Sequence, residues 1–178
     1  SSRFLILDTH DHQTSEIHLI DADNPDQTPS VVEPRRQGHE YSVDHHGERL
    51  FILTNSDGAE DFRICEAPVA TPGFANWREV VPHRPGRLIL DTAAYKDHLV
   101  RLEREDSLPR IVIRTIADGS EHAIAFDEDA YALGMAEGYE FDTTSLRFVY
   151  SSMTTPAETY DYDMAARTRA LRKSQHVP

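Results

Sequence analysis

Ten histidines and thirty-one carboxylates are the side chains of this 178-residue sequence with the most chemistry to offer. Imidazole and carboxylate together suit zinc or nickel, and two clusters have that make-up: His10-Asp11-His12 and Asp44-His45-His46. Neither is placed to share an ion. The first falls in a polar turn, where side chains are ordinarily solvated. The second lies on a strand, where adjacent residues point to opposite faces. The single cysteine, Cys65, can form no internal disulfide and belongs to no zinc pattern. Nucleophilic chemistry also lacks a signature. There is no Gly-x-Ser-x-Gly elbow, the nearest fragments being Gly119-Ser120 and Gly134 with Gly138, and no phosphate-cradling glycine loop, His-Glu-x-x-His helix or calcium loop. The expectation is a chain with no catalytic residue, no cofactor and no metal of its own.

Charge narrows the partners. Eighteen Lys and Arg stand against 31 Asp and Glu, a formal charge of −13. That balance argues against a nucleic-acid partner, because phosphate recognition rests on clustered Lys and Arg. It is compatible with a cationic ligand. The runs Glu103-Arg104-Glu105-Asp106 and Asp127-Glu128-Asp129 read as solvated turns, and ion pairing within the first is worth little on a surface. Tyr150, Tyr160 and Tyr162 read as sheet packing rather than a ligand cage. No stretch approaches the ~20 apolar residues of a spanning helix, so no membrane contact is expected. The apolar run Phe4–Leu7 is too short for a signal peptide, and with one cysteine the expected location is cytoplasmic.

The elements that must position these side chains are written as a repeat. Four times a β-rich run, a polar turn and a second β-rich run follow one another. The first runs are Arg3–Asp8, Arg49–Thr54, His98–Glu103 and Leu146–Ser151, with starts 46, 49 and 48 residues apart. The second runs contain Ile17, Phe62, Ile111 and Tyr160, spaced by 45, 49 and 49. In Phe62-Arg63-Ile64-Cys65-Glu66 and Thr159-Tyr160-Asp161-Tyr162-Asp163, apolar or aromatic residues take every other position, the period of a half-buried strand. The turns between them, Asn55-Ser56-Asp57-Gly58, Asp106-Ser107-Leu108-Pro109 and Thr154-Thr155-Pro156, are rich in turn formers.

Two further strands are expected per period. One follows each hairpin: Ser30–Glu33, Trp77–Val81, Glu121–Phe126 and Thr168–Arg172. The other precedes the next hairpin: Glu40–His46, Arg87–Tyr95 and Tyr131–Phe141. A short helix within Asp127–Glu137 competes weakly with the last of these. Four antiparallel strands in 40–50 residues describe a propeller blade. The predicted fold is an all-β propeller fragment of about four blades, near 1–37, 38–86, 87–130 and 131–174, the first lacking its inner strand. Such an arc exposes β edges, so it is expected to self-associate through its ends. A β-sandwich is the alternative architecture.

Particular words carry a resemblance. Arg35-Arg36-Gln37-Gly38-His39-Glu40-Tyr41-Ser42-Val43-Asp44-His45, Ile124-Ala125-Phe126-Asp127, Tyr150-Ser151-Ser152-Met153-Thr154-Thr155-Pro156 and Leu171-Arg172-Lys173-Ser174-Gln175-His176-Val177-Pro178 resemble the prolyl oligopeptidase family of serine peptidases, in its oligopeptidase B (protease II) branch. That family joins a seven-bladed propeller to an α/β-hydrolase domain bearing a Ser-Asp-His triad. The resemblance implies that this chain is the latter half of the propeller and that its partners are its own hydrolase domain and the remaining blades. No triad residue can be placed on it. It implies further a parent that cleaves short peptides after basic residues, with the propeller limiting access. Glu40, Asp44 and Asp91, on the strands expected to be innermost, then become candidates for drawing cationic peptides inward. Ordinary ladder carboxylates are the plain alternative for those three, and a stand-alone propeller-like interaction module is the alternative for the whole chain.

Overall fold

In the computed structural model, which describes residues 3–136, 138 and 140–176, fifteen strands form four antiparallel sheets. The chain divides into two compact units, residues 1–88 and 89–178.

The first unit opens with β1 (Phe4–His10), β2 (Ser15–Asp21) and the two-residue β3 (Ser30–Val31), a three-stranded sheet in sequence order. It continues with β4 (Tyr41–His46), β5 (Arg49–Thr54), β6 (Arg63–Pro68) and β7 (Arg78–Val81), again paired in sequence order. Ile17, Leu19 and Val32 from the first sheet pack with Tyr41, Leu50, Ile52, Cys65 and Ala67 from the second. Burial of these aliphatic side chains, at about 25 cal/mol per Å² of apolar surface, is what holds the two sheets face to face. One polar tie fixes their register. The Tyr41 hydroxyl accepts from the backbone N–H of Ile17 at 2.9 Å and donates to the Glu33 carbonyl at 2.6 Å, satisfying backbone groups that the short β3 leaves unpaired. Burial pushes the Tyr41 phenol above its usual value, so it stays protonated and able to donate.

The second unit contains β8 (Arg87–Ala94), β9 (His98–Glu105), β10 (Leu108–Thr115) and β11 (Glu121–Ala123), then β12 (Tyr131–Met135), β13 (Ser145–Ser152), β14 (Glu158–Asp163) and β15 (Thr168–Ser174). Val100, Ile111, Ile113 and Ile124 of the first of these sheets pack against Leu146, Phe148, Tyr150 and Tyr162 of the second. Tyr150 and Tyr162 are thus sheet packing, as the alternation predicts, and Tyr160 is stacked on Phe148 with centroids 5.4 Å apart.

Turn chemistry sets the hairpin of β9 and β10. Asp106 (φ 51°) and Ser107 (φ 70°) both adopt positive φ, the two-residue turn whose twist matches its strands, and Leu108 pairs with Glu105. Pro109 therefore lies inside β10 instead of in the turn. Its missing N–H leaves no ladder bond unmade, because β11 pairs only with residues 112–114.

Every strand expected from the repeat is present, and among the described residues the sheet of β1 to β3 has three strands where the others have four. Several boundaries differ: β3 stops at Val31 and β11 at Ala123, and β7 starts at Arg78. The expected strand Tyr131–Phe141 ends at Met135. Beyond Ala136, whose N–H still bonds the Arg147 carbonyl, the chain swings to the β8–β9 turn, where the Phe141 carbonyl accepts from Lys96 N–H at 3.0 Å. Glu137 and Tyr139 lie outside the described residues, as do Val177 and Pro178 of the terminal word. The turn Asn55–Gly58 forms a single 3-10 turn over Ser56–Gly58, with Asp57 at φ 54°.

Candidate functional site

The three carboxylates singled out from sequence sit at strand edges. β4 is the first strand of its sheet and pairs only with β5; β8 likewise pairs only with β9. Glu40 immediately precedes β4. Its backbone N–H donates to Asn55 Oδ1 at 2.9 Å, and Asn55 Nδ2 donates to its carboxylate at 3.4 Å. Asp44 lies four residues on, half-buried, opposite Phe51 in the β4–β5 ladder. By strand alternation Glu40 and Asp44 share one face of the first unit's four-stranded sheet. Asp91 stands exposed on β8 in the second unit, with Oδ1 accepting the Thr92 N–H at 2.8 Å.

The histidine clusters have structural employment. Asp11 Oδ1 accepts the N–H groups of Gln13 and Thr14 and closes the β1–β2 turn, bonds that hold its carboxyl below the usual range. His10 Nδ1 lies 3.2 Å from Asp8. His45 packs edge-on to Phe4, and burial lowers its pKa; His46 packs against Phe51. Among the described residues no three His, Cys, Asp or Glu are grouped to hold a metal ion.

Beside Glu40, a recess of about 400 Å³ is lined by Arg36, His39, Asn55, Asp57 and Phe74 among others. His39 is its one imidazole and is fully engaged. Arg36 donates to Nδ1 at 3.4 Å, so Nε2 carries the proton and donates to Thr54 Oγ1 at 3.1 Å. Burial, aided by the Arg36 charge, holds the ring neutral. With both nitrogens occupied and Tyr41 stacked on it, His39 is a wall of the recess and not a free general base.

The second unit carries an ionic assembly that the sequence pattern does not announce. The expectation that Glu103-Arg104-Glu105-Asp106 is a solvated turn is corrected: Glu103 is on β9 and 0% exposed. Arg101 Nε donates to Glu103 Oε2 at 2.6 Å, and the Arg101 fork grips both oxygens of Glu121 at 3.0 and 2.9 Å. Arg110 bridges Glu103 and Glu105, and Arg114 joins Glu121 at 3.0 Å. Glu103 faces Arg110 across the β9–β10 ladder, and Glu121 faces Arg114 across β10–β11. Alternation puts all six residues on the sheet face opposite Val100, Ile111 and Ile113. Burial alone would raise the Glu103 pKa, but hydrogen bonds from Arg101 and Arg110 outweigh it and hold the carboxyl below its ordinary value. The sequence holds only the i, i+2 spacing of Arg101, Glu103 and Glu105; the two-residue turn that sets Arg110 opposite Glu103 is seen only in the structure.

Asp127-Glu128-Asp129 also does more than face water. Glu128 accepts from the hydroxyls of Thr154 (3.1 Å) and Thr155 (2.7 Å), fastening the β11–β12 connection to the β13–β14 loop.

Four-stranded antiparallel sheets recurring with one period, each entered at an edge strand and left at the opposite edge, define this chain as a stretch of β-propeller. The description "Prolyl oligopeptidase, N-terminal beta-propeller domain" matches residues 1–175, and the chain belongs to that family. It is 34% identical over 177 residues to dipeptidyl aminopeptidase BI of Pseudoxanthomonas mexicana, covering 99% of this chain and 24% of the relative. To protease 2 of Moraxella lacunata it is 30% identical over 164 residues, covering 92% and 23%. Among solved structures, oligopeptidase B from Leishmania major superposes with a TM-score of 0.89 at 26% identity, over 98% of this chain and 26% of that one. Oligopeptidase B from Trypanosoma brucei with covalently bound antipain, in its closed form, gives 0.89 at 28% identity, over the same shares. The chain thus spans about a quarter of the length of the relatives it matches.

Proposed function

We propose that this chain is the substrate-gating propeller portion of a serine-type oligopeptidase that cleaves short peptides after basic residues, and that it has no peptidase activity alone. The observation that carries the reading is the likeness to two oligopeptidase B structures at a TM-score of 0.89 over 98% of the chain. In a propeller the blades surround a central channel, and the first strand of each blade lines it. β4 and β8 are those strands in their sheets, so Glu40, Asp44 and Asp91 would present carboxylates along the route of a peptide. A channel of one sign concentrates the opposite charge and raises the association rate, an effect that salt removes.

The test is kinetic. The full-length protein should hydrolyse Arg-containing short substrates. Glu40→Lys or Asp44→Lys should lower kcat/KM for them, most at low salt, with the deficit closing as ionic strength rises. Loss that is independent of salt overturns steering, and absence of cleavage after Arg overturns the basic-residue specificity itself.

We also propose that the isolated chain self-associates. On β1, an edge strand, Leu5, Ile6 and Leu7 are 57%, 39% and 47% exposed, and an apolar edge of this kind recruits further strands. Sedimentation of residues 1–178 should show dimers or larger species that Leu5→Lys disperses; a monomer across the micromolar range contradicts it.

A further inference from the structure

The loop between β13 and β14 presents Met153 at 94% exposure, higher than any other exposed large apolar side chain of the described residues. A single exposed methionine is ordinary on a protein surface; what surrounds this one is not. Ser152 N–H donates to the Thr155 carbonyl at 2.9 Å, and Ser152 Oγ accepts the N–H groups of Thr154 (3.1 Å) and Thr155 (2.9 Å). The two threonine hydroxyls then bind both oxygens of Glu128. Met153 is therefore held between anchored neighbours while its own side chain touches water. A fixed backbone lowers the ordering cost of docking, and a polarisable, unbranched side chain adapts to the pocket it enters.

After β15, Gln175 N–H donates to the Ala157 carbonyl at 2.8 Å, so the outgoing polypeptide is tied to the same loop, four residues from Met153. The relatives are about four times as long as this chain. The outgoing end of β15 therefore lies at the loop that carries Met153.

We propose that Met153 is an anchor of the contact between this propeller and the hydrolase domain that follows it, seated in an apolar pocket of that domain, with Glu128 as the residue that positions the loop. The inference rests on the reading of the chain as the propeller of a longer peptidase. It accounts for an exposed apolar side chain on a loop that five hydrogen bonds make rigid.

The test uses the full-length protein. On treatment with hydrogen peroxide, Met153 should oxidise about tenfold or more slowly than free methionine, since susceptibility follows exposure. Glu128→Ala should speed that oxidation while leaving the buried Met164 unchanged. With the photocrosslinker p-benzoylphenylalanine in place of Met153, irradiation of dilute protein should give an intrachain adduct to a peptide beyond residue 178. Oxidation of Met153 at the free-methionine rate, or an adduct to a second copy, overturns the proposal. Neither readout uses catalysis. A full-length protein that protects Met153 but cleaves no peptide sinks the peptidase reading alone, and an active one with freely oxidised Met153 sinks the anchor alone.

Discussion

Glu103→Ala should destabilise the protein by about 3–5 kcal/mol, the range for breaking a buried ion pair by removing one partner. The side chain of Arg101 is only 5% exposed, and Glu103 at 2.6 Å is one of its two carboxylate partners. Removing Glu103 also deprives Arg110 of its bridge between Glu103 and Glu105. Urea unfolding should show the loss as a shifted midpoint with an unchanged slope. Glu103→Gln, which keeps the shape but drops the charge, should fall between wild type and Ala. Because an apolar pair of similar volume often replaces a buried ion pair without loss, Arg101→Met with Glu103→Leu should recover much of the stability. A Glu103→Ala change below about 1 kcal/mol would mean that the pair is solvated in the native protein.

The same residue gives stability a pH dependence of definite sign. The folded pKa of Glu103 lies below its unfolded value. Its contribution is complete above the unfolded pKa and is lost as pH falls through the folded one. Glu121, likewise buried in part and held low by Arg101 and Arg114 against the opposing effect of burial, acts in the same direction and the same acidic window. Glu103→Gln should flatten that slope.

How much of this was legible in the sequence differs by kind of residue. Strand positions were, because Tyr160 and Tyr162 on β14, or Leu146, Phe148 and Tyr150 on β13, repeat at period two inside a period near 48, and no helix imitates both. Pro109 misled, since a proline beside Asp-Ser reads as turn; only the positive φ of Asp106 and Ser107 shows that the turn is finished in two residues. Glu103 was hidden because a charge run has no face until the hairpin register sets Arg110 opposite it. The role of Glu128 was hidden because its partners Thr154 and Thr155 are some 26 residues away, beyond any local pattern. Asp44 and Asp91 lie on edge strands and Glu40 immediately before one, and a strand position gives no information about what passes along it.

The largest functional effect expected is discrimination by size. If the propeller gates access, a substrate must thread past or between blades before it reaches the hydrolase, and a folded or long chain cannot. Transition-state contacts near the cleaved bond are the same for a short peptide and for that sequence inside a protein. The difference in kcat/KM therefore reports access alone. Each tenfold fall in kcat/KM with substrate length corresponds to about 1.4 kcal/mol of added barrier to access.

The direct measurement is kcat/KM of the full-length protein for one Arg-containing site presented in peptides of increasing length and in an unfolded protein, with residues 1–178 alone as control. The account predicts efficient cleavage of the short peptides, a steep fall with length, no cleavage of the protein, and no activity in the 1–178 chain. Equal cleavage of the site at every length, or turnover by the 1–178 chain itself, would contradict it.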